Sequence, residues 1–382
     1  MLQSRLHIQT IGANSAIARL DPVHLHSPSI MPSRQALSST QPTGIVLAGT
    51  HTWASTQFDS LLPRQLVPVA HRPLISYGLS WLEQAGVERV VVCGNRGTGP
   101  LRSLLRSHDG FGMQVLYLED AMPRGAAGCA HDAAAASDGD TFIVTDGTSI
   151  PNVELADLLA FHRKSRAAAT VVVHDDQHRG VQSGLHTPTG VFVFERRALA
   201  AVPPRGFYDI KEHLVPRLRA AGEAVVMFAS GRSAPRVLGA STYLAVNEWV
   251  VERLVSSRPE ADRMAPSRLA WDAPIGYTRI GESLVHSEAS VAPDVIITGP
   301  VLIAAGARVQ SGAVLVGPSS VGRNSVVEKG ALVSRSAVWR RAVVGANAVA
   351  DRTVVADDAV LAADSRAFRT VVRDRNNTRR LL

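Results

Sequence analysis

Residues 285–338 read VHSEAS VAPDVI ITGPVL IAAGAR VQSGAV LVGPSS VGRNSV VEKGAL VSRSAV, nine consecutive blocks of six that each open on an aliphatic residue. The openers are Val285, Val291, Ile297, Ile303, Val309, Leu315, Val321, Val327 and Val333. Trp339 continues the series, and after a five-residue step the phase resumes at Val344 and Ala350. Several openers precede a small residue, as in Val291-Ala292, Ile303-Ala304, Val321-Gly322 and Val344-Gly345. A period of six is neither the 3.6 of a helix nor the two of an ordinary half-buried strand. It predicts a hexapeptide-repeat parallel β-helix over 285–365, each opener pointing into a narrow core and each coil stacked on the next.

Working outward, residues 256–284 contain Pro259, Pro266, Pro274 and Gly276 and read as a connector. Residues 366–382, with Arg373, Arg375, Arg379 and Arg380, read as a basic tail. Upstream, residues 43–255 alternate strand and helix patterns. Gly44–Ala48, Arg89–Cys93, Met113–Leu118, Thr141–Thr145, Thr170–Val173, Val191–Phe194 and Ala224–Phe228 are short apolar runs of the kind a buried strand leaves. Helices are predicted from Pro73 onward with Leu74, Tyr77, Trp81, Leu82 and Ala85 on one face, and over Gly128–Ala136, Val153–Ser165, Ile210–Ala221 and Thr242–Val255. That alternation predicts an α/β domain with one mainly parallel sheet covered on both faces. Residues 1–42 are rich in Ser, His, Pro and Gln with Asp21 as the sole acid, and read as a disordered extension. An over-long start with initiation at Met31, or a transit peptide, are the competing readings.

The 382 residues are 46% hydrophobic and 19% charged, and no apolar run approaches the roughly 18–20 residues of a membrane-spanning helix. Two cysteines, Cys93 and Cys129, exclude a disulfide framework and predict free thiols in a reducing, cytoplasmic setting. The net charge of +7 is spread along the chain without a stripe or stacking aromatics, which argues against nucleic acid.

Leu47-Ala48-Gly49 and Pro63-Arg64-Gln65-Leu66-Val67-Pro68-Val69 resemble the opening motifs of the sugar-1-phosphate nucleotidyltransferases, the NDP-sugar pyrophosphorylases. Arg72-Pro73-Leu74-Ile75, Pro123-Arg124-Gly125-Ala126-Ala127-Gly128, Thr141–Asp157, Thr189–Phe194 and Tyr208-Asp209-Ile210 extend the similarity, and several members of that family append a left-handed hexapeptide β-helix. The resemblance implies a Rossmann-like domain with Leu47, Ala48, Gly49, Gly125, Ala126 and Gly128 at a nucleotide. It also implies attack of a sugar phosphate on the α-phosphorus of a nucleoside triphosphate, with Mg²⁺ held by carboxylates.

The catalytic positions depart from that pattern. The phosphate loop, a Gly-Gly-x-Gly-Thr-Arg segment in the family, is Gly49-Thr50-His51-Thr52-Trp53-Ala54, with threonine at two glycines and alanine at the arginine. Arg64 replaces a lysine, keeping the charge as a planar fork. The first metal carboxylate falls on Thr148, leaving Asp146 two residues away as the alternative ligand. The second falls near Val237-Leu238-Gly239, and no Asp or Glu occurs from Ala224 to Asn247. Only 17 residues, without lysine, separate Val173 from Val191, where the family carries its sugar-phosphate lysine. His174, Asp175, Asp176 and His178 form a tight His/Asp cluster that reads first as a polar turn and second as a metal site.

The leading expectation is therefore a non-catalytic regulatory or structural subunit in sugar-nucleotide or polysaccharide metabolism. Its expected partner is a catalytic pyrophosphorylase or other sugar-nucleotide enzyme, and its expected ligand a nucleotide or nucleotide sugar. It would need no cofactor and would form a homo- or hetero-oligomer. The resemblance supplies precedents in the inactive regulatory subunit of eukaryotic GDP-mannose pyrophosphorylase and in the pyrophosphorylase-like subunits of a translation-initiation exchange factor. One alternative is a divergent active transferase using Arg64 and Asp146 with Mg²⁺. A second is an oligomeric scaffold built through the β-helix alone.

Overall fold

The computed structural model describes residues 8–11, 41–49, 61–107, 112–120, 122–174, 187–230, 235–256, 275–373 and 378–380. In chain order the first domain contains β1 (Ile8–Ile11), β2 (Thr43–Leu47), β3 (Pro68–Val69), β4 (Arg72–Pro73), α1 (Ile75–Gln84), β5 (Arg89–Asn95), α2 (Gly99–Ser107) and β6 (Gln114–Asp120). It continues with α3 (Gly125–Ala135), β7 (Thr141–Asp146), α4 (Leu155–Lys164), β8 (Ala169–His174), β9 (Thr187–Glu195) and α5 (Arg196–Ala200). A π turn (Ile210–Leu214), α6 (Val215–Ala220), β10 (Val225–Ser230) and α7 (Ala240–Ser256) complete it.

One sheet has the order β1-β6-β5-β2-β7-β9-β8-β10, parallel across β6-β5-β2-β7 and across β8-β10, with β9 and the edge strand β1 reversed. The apolar runs are continuous because both faces are covered. Ile45, Val91, Phe142, Val144, Phe192 and Phe194 face α3, α5 and α6, while Val46, Val90, Val92, Ile143 and Val193 face α1, α2 and α4. Each predicted strand is present; α2 and α5 are additional. The helix expected from Pro73 starts at Ile75, because Arg72–Pro73 pairs with Pro68–Val69 first. Within the expected disordered extension, residues 8–11 form β1 on β6, and the rest of 1–40 lies outside the described residues. The two thiols are free as expected, and burial pushes both pKa values up, which keeps them protonated. Among the described residues no helix is long and apolar enough to cross a membrane.

The second domain is a three-faced parallel β-helix. Its parallel strands run from Ser283–His286 to Thr370–Val372, with Tyr277–Ile280 and Thr378–Arg380 pairing antiparallel at the two ends, so it begins inside the expected connector and extends into the expected tail. The first coils are 18 residues long, pairing Val285 with Ile303 and Ile303 with Val321. Later coils are 17 residues long, pairing Val321 with Val338, Val338 with Val355 and Val355 with Val372. The five-residue step therefore falls between Val333 and Val338, which corrects the assignment of Trp339 to the inward column. The cause is one corner. Gly299-Pro300 and Gly317-Pro318 turn it in the long coils, and single left-handed residues Arg335, Arg352 and Arg369 (φ +45, +43 and +43°) turn it one residue sooner in the short ones.

One face of the β-helix is covered by α7, joining both domains in a continuous core. Asn247 on α7 accepts from Ala70 N (2.9 Å) and donates to Ser320 Oγ (3.2 Å), and Glu248 pairs with Arg335 (3.3 Å). Beside this joint His71 lies in the left-handed region (φ +68°), with Nδ1 3.3 Å from the Tyr277 hydroxyl. Burial lowers its pKa to about 4. Between that value and the ordinary 6.5, the unfolded chain binds a proton that the folded chain refuses, so stability falls as pH falls through this window. Acidification from pH 7 to 4.5 is expected to cost up to about 3 kcal/mol at this residue. His71→Asn, which tolerates the same backbone, should flatten that part of a urea-midpoint against pH profile.

Candidate functional site

The chain runs β2-β5-β6 to one side of the sheet and then returns to place β7 on the other side of β2. This is the switch point of an open α/β sheet, where ligand crevices form beyond the carboxyl ends of the strands. Leu47 pairs with Asp146 at those ends, Gly147 N donates to Leu47 O (2.9 Å), and Ala48 N donates to Cys93 O (2.7 Å). A Cβ on Gly147 would stand 3.2 Å from Leu47 O and 3.4 Å from Gln65 Cγ, so the short turn Arg64–Leu66 packs directly against this edge. The structure thus brings Leu47, Ala48, Asp146 and the Arg64 turn together. Gly49 is the last described residue of the phosphate loop; Thr50, His51, Thr52, Trp53 and Ala54 lie outside the described residues.

Asp146 ends β7 with its side chain 20% exposed. Its Oδ1 accepts from Thr148 N (2.8 Å) and Thr148 Oγ1 (2.7 Å), and its Oδ2 accepts from the guanidinium of Arg236. Arg236 is fixed by its backbone. Ser149 bridges to it, Ile150 N donates to Pro235 O (2.9 Å), and Val237 N donates to Thr148 O (2.9 Å). Sequence reading missed Arg236. The signal available was a basic residue one step before Val237, the position that lacks the expected carboxylate.

This donor set does not fit a divalent cation. Mg²⁺ is held through one or two carboxylates that keep several waters in an octahedron. Here the single carboxylate already accepts on both oxygens, and one of its donors is a cation that would repel the metal. Among the described residues no group of three or more His, Cys, Asp or Glu side chains is placed to hold a metal ion. In the His174 cluster, Asp175, Asp176 and His178 lie outside the described residues.

Gly125, Ala126 and Gly128 open α3, which follows β6, two strands away from β2. Their amide neighbourhood is already engaged, with Ala127 N (3.0 Å) and Gly128 N (3.3 Å) both donating to Tyr208 O. Gly125 has φ +72°, and a Cβ there would sit 2.7 Å from Tyr208 O. Arg124 locks the turn through Asp132 (3.0 Å), Gly206 O (2.8 Å) and Pro203 O (3.0 Å). The glycines of this turn thus have a packing reason independent of any nucleotide.

Residues 46–181 match the family model described as nucleotidyl transferase. The mannose-1-phosphate guanylyltransferase of Mycobacterium tuberculosis is 25% identical over 78% of this chain and 85% of its own length. The UTP–glucose-1-phosphate uridylyltransferase of a Synechocystis strain is 24% identical over 71% of this chain and 76% of its own. Among solved structures, HddC from Yersinia pseudotuberculosis superposes with a TM-score of 0.45 at 15% identity, covering 55% of this chain and 99% of HddC.

Proposed function

Residues 46–181 belong to the nucleotidyl transferase family, and from that premise we propose that the chain is a non-catalytic subunit, regulatory or structural, in sugar-nucleotide metabolism. The observation that carries the reading is the state of Asp146, bound to Arg236 and Thr148 in a crevice for which the segment Ala224–Asn247 offers no second carboxylate. Phosphoryl transfer draws on cations that spread the developing charge, and a single neutralised carboxylate cannot recruit them. The coupling of both domains through α7 supports a role in which the pocket and the β-helix act as one body, the β-helix contributing the contacts to a catalytic pyrophosphorylase or other sugar-nucleotide enzyme.

The test is pyrophosphate release by the purified full chain with each nucleoside triphosphate, mannose 1-phosphate or glucose 1-phosphate, and Mg²⁺. No release above the enzyme-free blank is expected. Mg²⁺-dependent turnover that disappears in Asp146→Ala would overturn the proposal in favour of a divergent transferase using Asp146 and Arg64. If instead every phenotype survives mutation of the crevice and is lost on removal of the β-helix, the β-helix alone is the functional part.

A further inference from the structure

We infer that Arg236 occupies the role of the divalent cation in this crevice, so that a diphosphate group is held there metal-free by a guanidinium that Asp146 positions. The inference rests on the non-catalytic reading above and specifies how its expected ligand, a nucleoside diphosphate or its sugar ester, is held. Three observations converge on it. First, the positive charge at the end of β7 is a covalent part of the chain. Arg236 is charged at every physiological pH and presents five N–H donors in a planar fork that matches phosphate oxygens. Among the described residues that fork bonds to Asp146, and the Arg236 side chain remains 41% exposed.

Second, the fork is held in place for a ligand. The backbone on both sides of Arg236 is zipped to residues 148–150, and Asp146 is itself oriented by two donors from Thr148. An arginine anchored by a carboxylate loses little further entropy when phosphate oxygens arrive, and the resulting bonds are charge-assisted. Third, Gln65, only 1% exposed and packed against Gly147, leaves its Oε1 without a donor. A buried acceptor left unpaired is costly. A sugar hydroxyl or a base N–H entering the same edge supplies the missing donor.

Titration calorimetry on the full chain tests this, with ADP, GDP, CDP, UDP and dTDP as probes in EDTA and again in Mg²⁺. At least one diphosphate is expected to bind in EDTA, with an affinity that Mg²⁺ leaves unchanged or weakens by chelating the ligand. Arg236→Ala should lower that affinity tenfold or more, and Arg236→Lys should recover only part of it. Asp146→Asn, which keeps the Thr148 hydrogen bonds but releases the charge, should lower affinity several-fold while leaving the melting temperature near that of the parent. Binding that requires Mg²⁺, binding undiminished in Arg236→Ala, or no binding of any probe overturns the inference. The non-catalytic reading fails on a different result, pyrophosphate release, so absence of both turnover and binding sinks only the metal-free site.

Discussion

Replacing Trp339 with alanine is expected to lower the stability of the chain by about 3–5 kcal/mol, the range for deleting a large aromatic side chain from a core. Trp339 is 3% exposed and stands edge-on to Tyr243 of α7, ring centroids 5.8 Å apart. Its Nε1 donates to the Tyr243 hydroxyl (2.7 Å), which in turn donates to Pro68 O (2.6 Å). The chain of two hydrogen bonds links a β-helix corner, α7 and the segment leading from the Arg64 turn. Burial pushes the Tyr243 pKa up, so the phenol stays a neutral donor. Alanine would leave a cavity and strip the phenol oxygen of its donor in a place water does not reach. Trp339→Phe retains most of the packing and should cost about 1–3 kcal/mol, the range for leaving one buried polar group without its partner. Urea unfolding followed by far-ultraviolet circular dichroism separates the two variants; equal midpoints for Trp339→Ala and the parent would show that this junction does not hold the domains together.

Gly322→Val is expected to be strongly damaging to the β-helix. A Cβ at Gly322 would lie 2.6 Å from the carbonyl carbon of Trp339 and 2.7 Å from the carbonyl oxygens of Trp339 and Val338. All three are backbone atoms of the next coil, so no side chain can swing aside and the coils must separate. Overpacking of this kind costs about 1–3 kcal/mol, and each kcal/mol moves the melting temperature of a cooperative unit that includes both domains by about 2–4 °C. A loss of several degrees is therefore expected by calorimetry. Arg323→Val, one residue on and exposed, should stay within about 0.5 kcal/mol of the parent. A similar loss in both variants would show that crowding between coils is not the cause. Gly345 stands in the same relation to its neighbouring coil, with a Cβ 2.5 Å from Ala363 N. These two positions explain why small residues follow the repeat openers Val321 and Val344.

The periodic parts of the chain were legible because burial is written locally. The six-residue rhythm located the β-helix, and the apolar runs located the strands of the sheet, since a strand buried on both faces has no polar alternation. Reading failed where two neighbours satisfied the same rule. Val338 and Trp339 are both apolar, and a strict count of six selects Trp339. The structure selects Val338, because the Arg335 corner is one residue shorter than the Gly-Pro corners before it and because the Tyr243 hydroxyl accepts the indole N–H. The turn at Gly125 shows the converse: a motif that reads as nucleotide-binding is also required by Tyr208 O.

At the candidate site the sequence alone determined that the ends of β2 and β7 carry Leu47-Ala48-Gly49 and Asp146, and that residues 224–247 contain no acid. It could not pair Asp146 with Arg236, a residue 90 positions later. That pairing depends on where the chain leaving β10 crosses the end of β7, which is set by strand order and by the bridge between Ser149 and Arg236. Spacing along a chain reports which side chains share a face of one element, because backbone geometry repeats every few residues. Which carboxylate meets which cation across elements is decided by packing of the whole sheet, and so only the tertiary structure shows that the charge facing Asp146 is a guanidinium.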